Sequence, residues 1–429
     1  MFLQIVVAYD YMASGSNQYG QLGLNLQDTQ ISKFTKQTSF FDSDIIKITA
    51  GSTHALAVVD SGKLYVWGNN NKMQLATDVE SQYSKPIVVQ YFVDNSIKIS
   101  QADGGIQHSI ALGTNGKVYT WGNNNYGQLG RSIDNTDAKS DKTPGIVDPK
   151  VYGNEIVKQI AAQNHSTYIL TTAGHLYAFG SCMQGSCSQR STAGQVVFDG
   201  KIDRFFVGEL SLFVEDDQGQ VFASGANLHS QLCFSVDDND KMNYQMQLKK
   251  IPVMGVDHID AGETHTLLIQ GTSVLGCGLN TDWQMGPIVG TFKAPTLIFE
   301  HAGLRSAAAC QDGSLFLIGD EFSVIGSSMN GELGLPVNSV KQERVQVPLS
   351  MKYLTEVICR KTFSIVYSQH EKQKQGLNAW AISGIVIGSI LAVLIIAFFI
   401  GWGYISYNKK QHYKKFVSAG TAEAQVETW

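Results

Sequence analysis

The chain predicts an all-β fold, a seven-bladed β-propeller closed by both termini and followed by a single transmembrane α-helix. Three observations carry that expectation. Two landmarks alternate along the sequence. One is a Gly-x-x-His step, as in Gly51-Ser52-Thr53-His54 and Gly105-Ile106-Gln107-His108; the other is an apolar or aromatic strand ending in Gly, as in Tyr65-Val66-Trp67-Gly68 and Tyr119-Thr120-Trp121-Gly122. Each series counts to seven, and self-similarity at roughly 40–55 residues belongs to units that bury a core only by stacking. The chain opens with the second landmark and closes with the first, so strands from the two ends must complete one sheet, which is how a ring avoids unpaired edges.

The first series runs Gly51/His54, Gly105/His108, Ala162/His165, Gly208/Ser211, Gly262/His265, Gly303/Ser306 and Cys359/Thr362. The second runs Gly15, Gly68, Gly122, Gly180, Gly225, Gly278 and Gly326. Within a unit, short apolar runs such as His54–Val59 and Lys63–Trp67 are joined by Asp60-Ser61-Gly62, a hairpin turn. Thr114-Asn115-Gly116, Asp217-Gln218-Gly219 and Gln311-Asp312-Gly313 are assigned the same place, and the sixth unit then needs a longer hairpin around Gly319 and Asp320. A fourth strand is announced by Pro86, Pro144, Pro252, Pro295 and Pro348, which fit the first residue of an outer edge strand because proline has no N–H to give a ladder. Units three, four and six are degenerate at the first landmark.

With Gly127-Gln128-Leu129-Gly130 and Tyr19-Gly20-Gln21-Leu22-Gly23 added to these marks, the repeats resemble the regulator of chromosome condensation family of seven-bladed propellers over about residues 9–367. The resemblance implies a rigid ring whose loops bind another protein. Through the family's founding member it also implies an alternative, nucleotide exchange on a small Ras-like GTPase by a cytosol-facing ring, although the family's nucleotide-displacing wedge has no residue-by-residue match. The Gly-Trp-Arg-His-Thr repeats of the plant ultraviolet photoreceptor of this family are missing, so Trp67, Trp121 and Trp283 read as blade packing.

Around the propeller, assigned to residues 9–368, the sequence divides into a weak signal sequence or leading strand at 1–8, a polar stalk at 369–379, a transmembrane helix at 380–402 and a basic tail at 403–429. No charged residue occurs from Gly376 to Asn408, and about 20 apolar residues suffice to cross a bilayer. Trp380, Trp402, Tyr404 and Tyr407 form interfacial belts. Lysines 409, 410, 414 and 415 follow the span and Lys361, Lys372 and Lys374 precede it, so the orientation rests on one lysine. Discounting Lys361 as part of a blade favours an extracytoplasmic propeller on a surface or endomembrane; the rival is a tail anchor with a cytosolic ring. Gly384 and Gly388, one turn apart, would let two spans pack as a weak homodimer. Tyr413 and Phe416 match a tyrosine-based sorting motif, and Asn164-His165-Ser166 is a glycosylation sequon.

A net charge of −5 with 16% charged residues excludes the basic stripe that nucleic-acid binding needs. Cys277, Cys310 and Cys359 are expected to be buried small residues, and only Cys182 and Cys187, which share a loop, could pair. His54, His108, His165 and His265 hold repeated places and are expected to be structural rather than metal ligands. No nucleophile, phosphate loop or metal motif is found, so no catalytic site, metal or cofactor is expected. The expected function is a membrane-anchored protein-interaction platform for a partner that the sequence does not identify. Binding is assigned to the long loops, residues 131–155, 237–250 and the Gly319 hairpin, and a carbohydrate-binding ectodomain is the second alternative.

Overall fold

The computed structural model describes residues 10–37, 40–78, 82–131, 140–181, 190–235 and 244–368. They form seven four-stranded antiparallel sheets. Blade 1 shows the plan: innermost strand Ile45–Ala50, then His54–Val59, Leu64–Gly68 and outermost Tyr83–Val88. Blades 2 to 6 repeat it over residues 99–146, 157–195, 202–254, 258–300 and 304–346. Blade 7 takes its two inner strands, Glu356–Arg360 and Phe363–Tyr367, from the end of the propeller and its two outer strands, Tyr11–Ser16 and Gln30–Gln37, from the beginning. The closure expected from the offset landmarks is therefore present.

The strand-ending glycines explain why the units read alike. Gly15, Gly68, Gly122, Gly180, Gly225, Gly278 and Gly326 all lie at φ between 95° and 124°. A Cβ on any of them would sit under 3 Å from the carbonyl oxygen that precedes the second strand of its own blade. Only glycine meets both demands.

The pairing partners of these glycines correct the first landmark. His54, His108, Ser211 and His265 face Gly68, Gly122, Gly225 and Gly278 as expected. In blade 3 the residue facing Gly180 is Ser166, one past His165, and in blade 7 Phe363 faces Gly15 in place of Thr362. In blade 6 Gly313 faces Gly326, so Gln311-Asp312 belong to the loop between the first two strands, and Ser306 lies inside the innermost strand Leu304–Ala309. Ile318 pairs with Glu321 across Gly319-Asp320, a two-residue hairpin rather than a long one. The small residues of Cys310-Gln311-Asp312-Gly313 carry no histidine, which is why the sequence pattern slid to Ser306.

Four of the prolines sit deeper than the strand starts assigned to them. Pro86, Pro144, Pro252 and Pro295 fall where the outer strand's register shifts against its neighbour. A bulge leaves a residue unpaired, so a missing N–H breaks no ladder bond there.

The core lies between blades rather than within them. Leu56, Val58 and Val66 of blade 1 pack with Ala111, Tyr119 and Trp121 of blade 2, and the other interfaces are built likewise. Two disulfides reinforce this arrangement. Cys233 of blade 4 is bonded to Cys277 of blade 5, and Cys310 of blade 6 to Cys359 of blade 7. Cys277, Cys310 and Cys359 are buried as expected but are not free thiols; partners 44 and 49 residues apart meet because neighbouring blades do. Cys182 and Cys187 lie outside the described residues.

Polar side chains of the innermost strands bridge every blade to the next. Thr49 bonds Ala102, Asp103 bonds the Ala162 amide, Gln159 bonds Phe205 and Arg204 donates to Val256 and Asp257. Asp260 accepts from Ala309, Ser306 from Val357, and Arg360 donates to Ala50 across the closure at 2.8 Å. Removing residues 1–24 deletes Tyr11–Ser16 and leaves Phe363–Tyr367 without its outer partner. That truncation is expected to aggregate and to lose its cooperative melt, as read by size-exclusion chromatography and calorimetry; an unchanged melting temperature would contradict the closure.

Candidate functional site

Loops between the first and second strands and between the third and fourth strands emerge on one face of the ring, and their chemistry follows from a repeated cassette. In Asn124-Asn125-Tyr126-Gly127-Gln128-Leu129, the Asn124 side chain accepts from Leu129 N and the Gln128 side chain from Tyr126 N, both at 2.9 Å. Asn17/Gln21, Asn70/Gln74, Asn227/Gln231 and Asn280/Gln284 repeat the pair, and Ser328/Glu332 substitutes for it in blade 6. Asn and Gln therefore serve the loop's own backbone, and the residue before each Gln takes a left-handed conformation, at Met73, Ser230 and Trp283 as well as at the glycines.

The repeated histidines are consumed in the same way. His54 Nε2 bonds Ser109 Oγ of the next blade at 3.0 Å, and Ser109 Oγ donates to Gln74 O at 2.8 Å. His108, Thr167 and Gln128 repeat the relay, as do His265, Ser314 and Gln284. Since each hydroxyl gives its proton to a carbonyl, the network assigns the proton of each imidazole to Nε2. Each histidine is committed to its own neighbour, and among the described residues no group of three or more His, Cys, Asp or Glu is placed to hold a metal ion. Burial keeps all three neutral, pushing His54 and His108 down to about 3 and His265 to about 4. His165 stands apart: it packs against Tyr126 with ring centroids 4.5 Å apart and the rings tilted by 33°.

What remains free on this face is the mouth of the central channel. Two residues ahead of each register residue stand Ser52, Ile106, Asn164, Glu209, Glu263, Gln311 and Lys361. Lys361 reaches across to Glu209 and Glu263 at 3.4 Å each. Burial raises the Glu209 carboxyl and Lys361 opposes that rise, while the Glu209 charge raises Lys361 in return. Asp312 is raised by burial and then by the neighbouring charges of Asp282 and Glu263. The mouth is thus acidic, bordered by the exposed cassette side chains of Tyr126, Leu228 and Met329.

The sequence-predicted sites distribute unevenly over this surface. Asn164 lies at the mouth, where its side-chain amide donates to the Glu209 carbonyl. Arg131 is pinned to Thr120 and Asp141, residues 132–139 and 236–243 are outside the described residues, and residues 244–250 belong to the outer strand Tyr244–Met254. The Gly319 hairpin opens on the opposite face. Gly384, Gly388, Tyr413 and Phe416 are outside the described residues, and among the described ones no helix is long and apolar enough to cross a membrane. Glu209, Glu263, Asp312 and Lys361 were missed, though Glu209, Glu263 and Lys361 all stand two residues ahead of a register residue and Asp312 one, a spacing that is readable once the register is right.

The model of the RCC1-like domain family matches residues 10–372. The chain belongs to the RCC1-like domain family. Within it, the chain is 34% identical over 161 residues to the probable E3 ubiquitin-protein ligase HERC3 of Homo sapiens, covering 37% of this chain and 14% of that protein. It is 27% identical over 269 residues to the ultraviolet-B receptor UVR8 of Arabidopsis thaliana, 60% of this chain and 58% of the receptor. The matched segments span less than two thirds of these relatives. The solved structure of Prp20p from Saccharomyces cerevisiae, described with its binding to Gsp1p and histones, superposes with a TM-score of 0.73 at 19% identity, covering 90% of this chain and 97% of that one. Human WBSCR16 gives 0.69 at 17% identity, with 84% and 99% covered. These structures share the fold.

The histidine relays make stability depend on pH. Their folded pKa values lie below the unfolded value, so the contribution is complete above about pH 6.5 and is lost as pH falls toward 3–4. Between pH 6.5 and 5 each neutral histidine is expected to cost the fold up to about 2 kcal/mol. Melting temperatures should be flat from pH 8 to 7 and fall steeply below 6.5, and His265→Gln should be less stable at neutral pH but flatter with acid. An unchanged pH slope in that variant would refute the neutral relay.

Proposed function

We propose that the ring is a protein-interaction platform without chemistry of its own, held at a membrane by residues 380–402 with the propeller on the extracytoplasmic side. The observation that carries the platform reading is the division of labour among its polar residues. Repeated His, Asn, Gln and Ser side chains are spent on internal bonds, while the unrepeated Glu263, Asp282, Asp312 and Lys361 gather at one mouth. Such a rigid acidic surface, rimmed by exposed apolar side chains, suits a basic partner segment. The relatives' activities, ligation among them, belong to proteins of which this chain matches a fraction.

Support for the orientation comes from the cysteines. Two disulfides joining neighbouring blades fit an oxidising compartment, since cytosolic thiols are kept reduced. In this arrangement Tyr413 and Phe416 would face the cytosol as a sorting motif, and Gly384 and Gly388 would pair two spans. Peptide mapping without reductant, on protein from native membranes, should recover Cys233 linked to Cys277 and Cys310 linked to Cys359, with the ring shielded from protease added to the cytosolic side. Free thiols and cytosolic cleavage would instead favour the exchange-factor alternative.

For the mouth, Asp282→Lys with Asp312→Lys in the full chain should leave stability within about 0.5 kcal/mol of wild type. The same variant should abolish the salt-sensitive partners captured by proximity labelling. An identical partner set would remove this face from the function.

A further inference from the structure

The cassette ends in a position that supports a large side chain of the neighbouring blade. A Cβ on Gly23 would strike the Trp67 ring, one on Gly130 the Phe179 ring, and one on Gly334 the Phe34 ring. In blade 4 this position is Cys233, covalently joined to Cys277. Blade 5 differs: Gly286 lies at φ 131° where Gly23, Gly130, Cys233 and Gly334 lie at 60–68°, and a Cβ on it would meet nothing within 4 Å. The residue of blade 6 that should reach it, in the place of Trp67 and Trp121, is Ile325, which also immediately precedes a strand-ending glycine. The connection between these two blades, residues 301–303, contributes no buried apolar side chain, its Ala302 being exposed, whereas Phe92, Tyr152 and Leu354 fill other junctions.

The result is a groove of about 320 Å³ on the outer wall of the ring, with Met285, Phe292, Phe299 and Ile325 among its lining residues. That volume lies near the lower end of ligand sites. Its rim exposes Ile288 and Leu297 at 72% and 56%. Phe299 packs edge-on against Phe316, and the Arg344 guanidinium sits 4.3 Å from the Phe299 ring centre. Arg344 is the one cation of the lining and forms no ion pair among the described residues; Glu343 is the one acid. The outer strands Thr291–Glu300 and Ser339–Gln346 that border the groove have unpaired edges.

We propose that this groove receives an extended segment of a partner protein that inserts a large aromatic side chain over Gly286 and sets an acidic residue beside it on Arg344. The ring fixes the first half of that chemistry itself, since the equivalent seats over Gly23 and Gly130 hold an indole and a phenyl ring. Charge complementarity fixes the second half: a guanidinium stacked on an aromatic ring and lacking an acid partner recognises carboxylate. Free strand edges supply main-chain bonds to an extended guest. This lateral site is separate from the acidic mouth and stands whether or not the mouth binds.

The test uses the full chain and a dye-labelled peptide, acetyl-Ala-Leu-Trp-Glu-Glu-amide, read by fluorescence anisotropy against the same peptide with Lys-Lys and with Ala in place of Trp. The acidic peptide should bind about fivefold more tightly than the basic one, and Arg344→Ala should erase that difference. The alanine peptide should not bind. Ile325→Trp, which fills the seat from within, should weaken binding by at least about tenfold while raising the melting temperature by a few degrees. Leu297→Glu gives the same loss of binding without touching the interior. The proposal is overturned if wild type binds none of the peptides, if Ile325→Trp and Leu297→Glu bind as wild type does, or if Leu297→Glu instead abolishes self-association of the full chain, which would make the occupant a second copy.

Discussion

Ring closure is the constraint on which the rest of this protein depends. Seven twisted sheets stacked around an axis are stable only if the last meets the first, because each buries its faces against its neighbours and none has a sufficient core alone. Here the joint is a blade assembled from both ends of the propeller, with Tyr11–Ser16 hydrogen-bonded to Phe363–Tyr367. The bond from Arg360 to Ala50 continues around the joint the side-chain bridging seen between the other innermost strands. Its cost is sequence freedom near the axis, where the strand-ending glycines are needed and polar side chains must reach specific backbone groups.

That cost explains how a repetitive sequence can carry function. The most recognisable residues are those least available to a partner: His54, His108 and His265 are sealed between blades, and the cassette Asn and Gln side chains satisfy their own loops. Departures from the repeat are where surface chemistry appears. Glu209, Glu263 and Lys361 occupy a ring position that elsewhere holds Ser52 and Ile106, and Ile325 leaves open a seat that Trp67 and Trp121 fill. In blade 6 the buried Glu332 stands where five other cassettes carry Gln, and burial raises its carboxyl.

The disulfides extend the same economy. Cys233 and Cys277 join a cassette end to the following blade where other junctions use an aromatic contact. Cys310 takes the first-landmark position held by Gly51 and Gly105, and bonds to the innermost strand of blade 7. Both bridges cross blade boundaries, so they constrain the ring against opening as well as the unfolded chain.

The sequence by itself determined the class of fold, the number of blades and the closure by both ends. These follow from glycines and hairpin turns whose causes are local: positive φ, a two-residue turn, an alternating strand. It also indicated that the repeated histidines are structural, since a scaffold repeats what it needs for packing. Only the tertiary structure decided the register of blades 3, 6 and 7, because strand pairing alone shows that Ser166, Gly313 and Phe363, and not His165, Ser306 and Thr362, face the strand-ending glycines. It decided the cysteine pairs, the acidic mouth and the empty seat over Gly286 for one physical reason. Each depends on residues of two or more blades, tens of positions apart in the chain, which become neighbours only when the ring brings their sheets into contact.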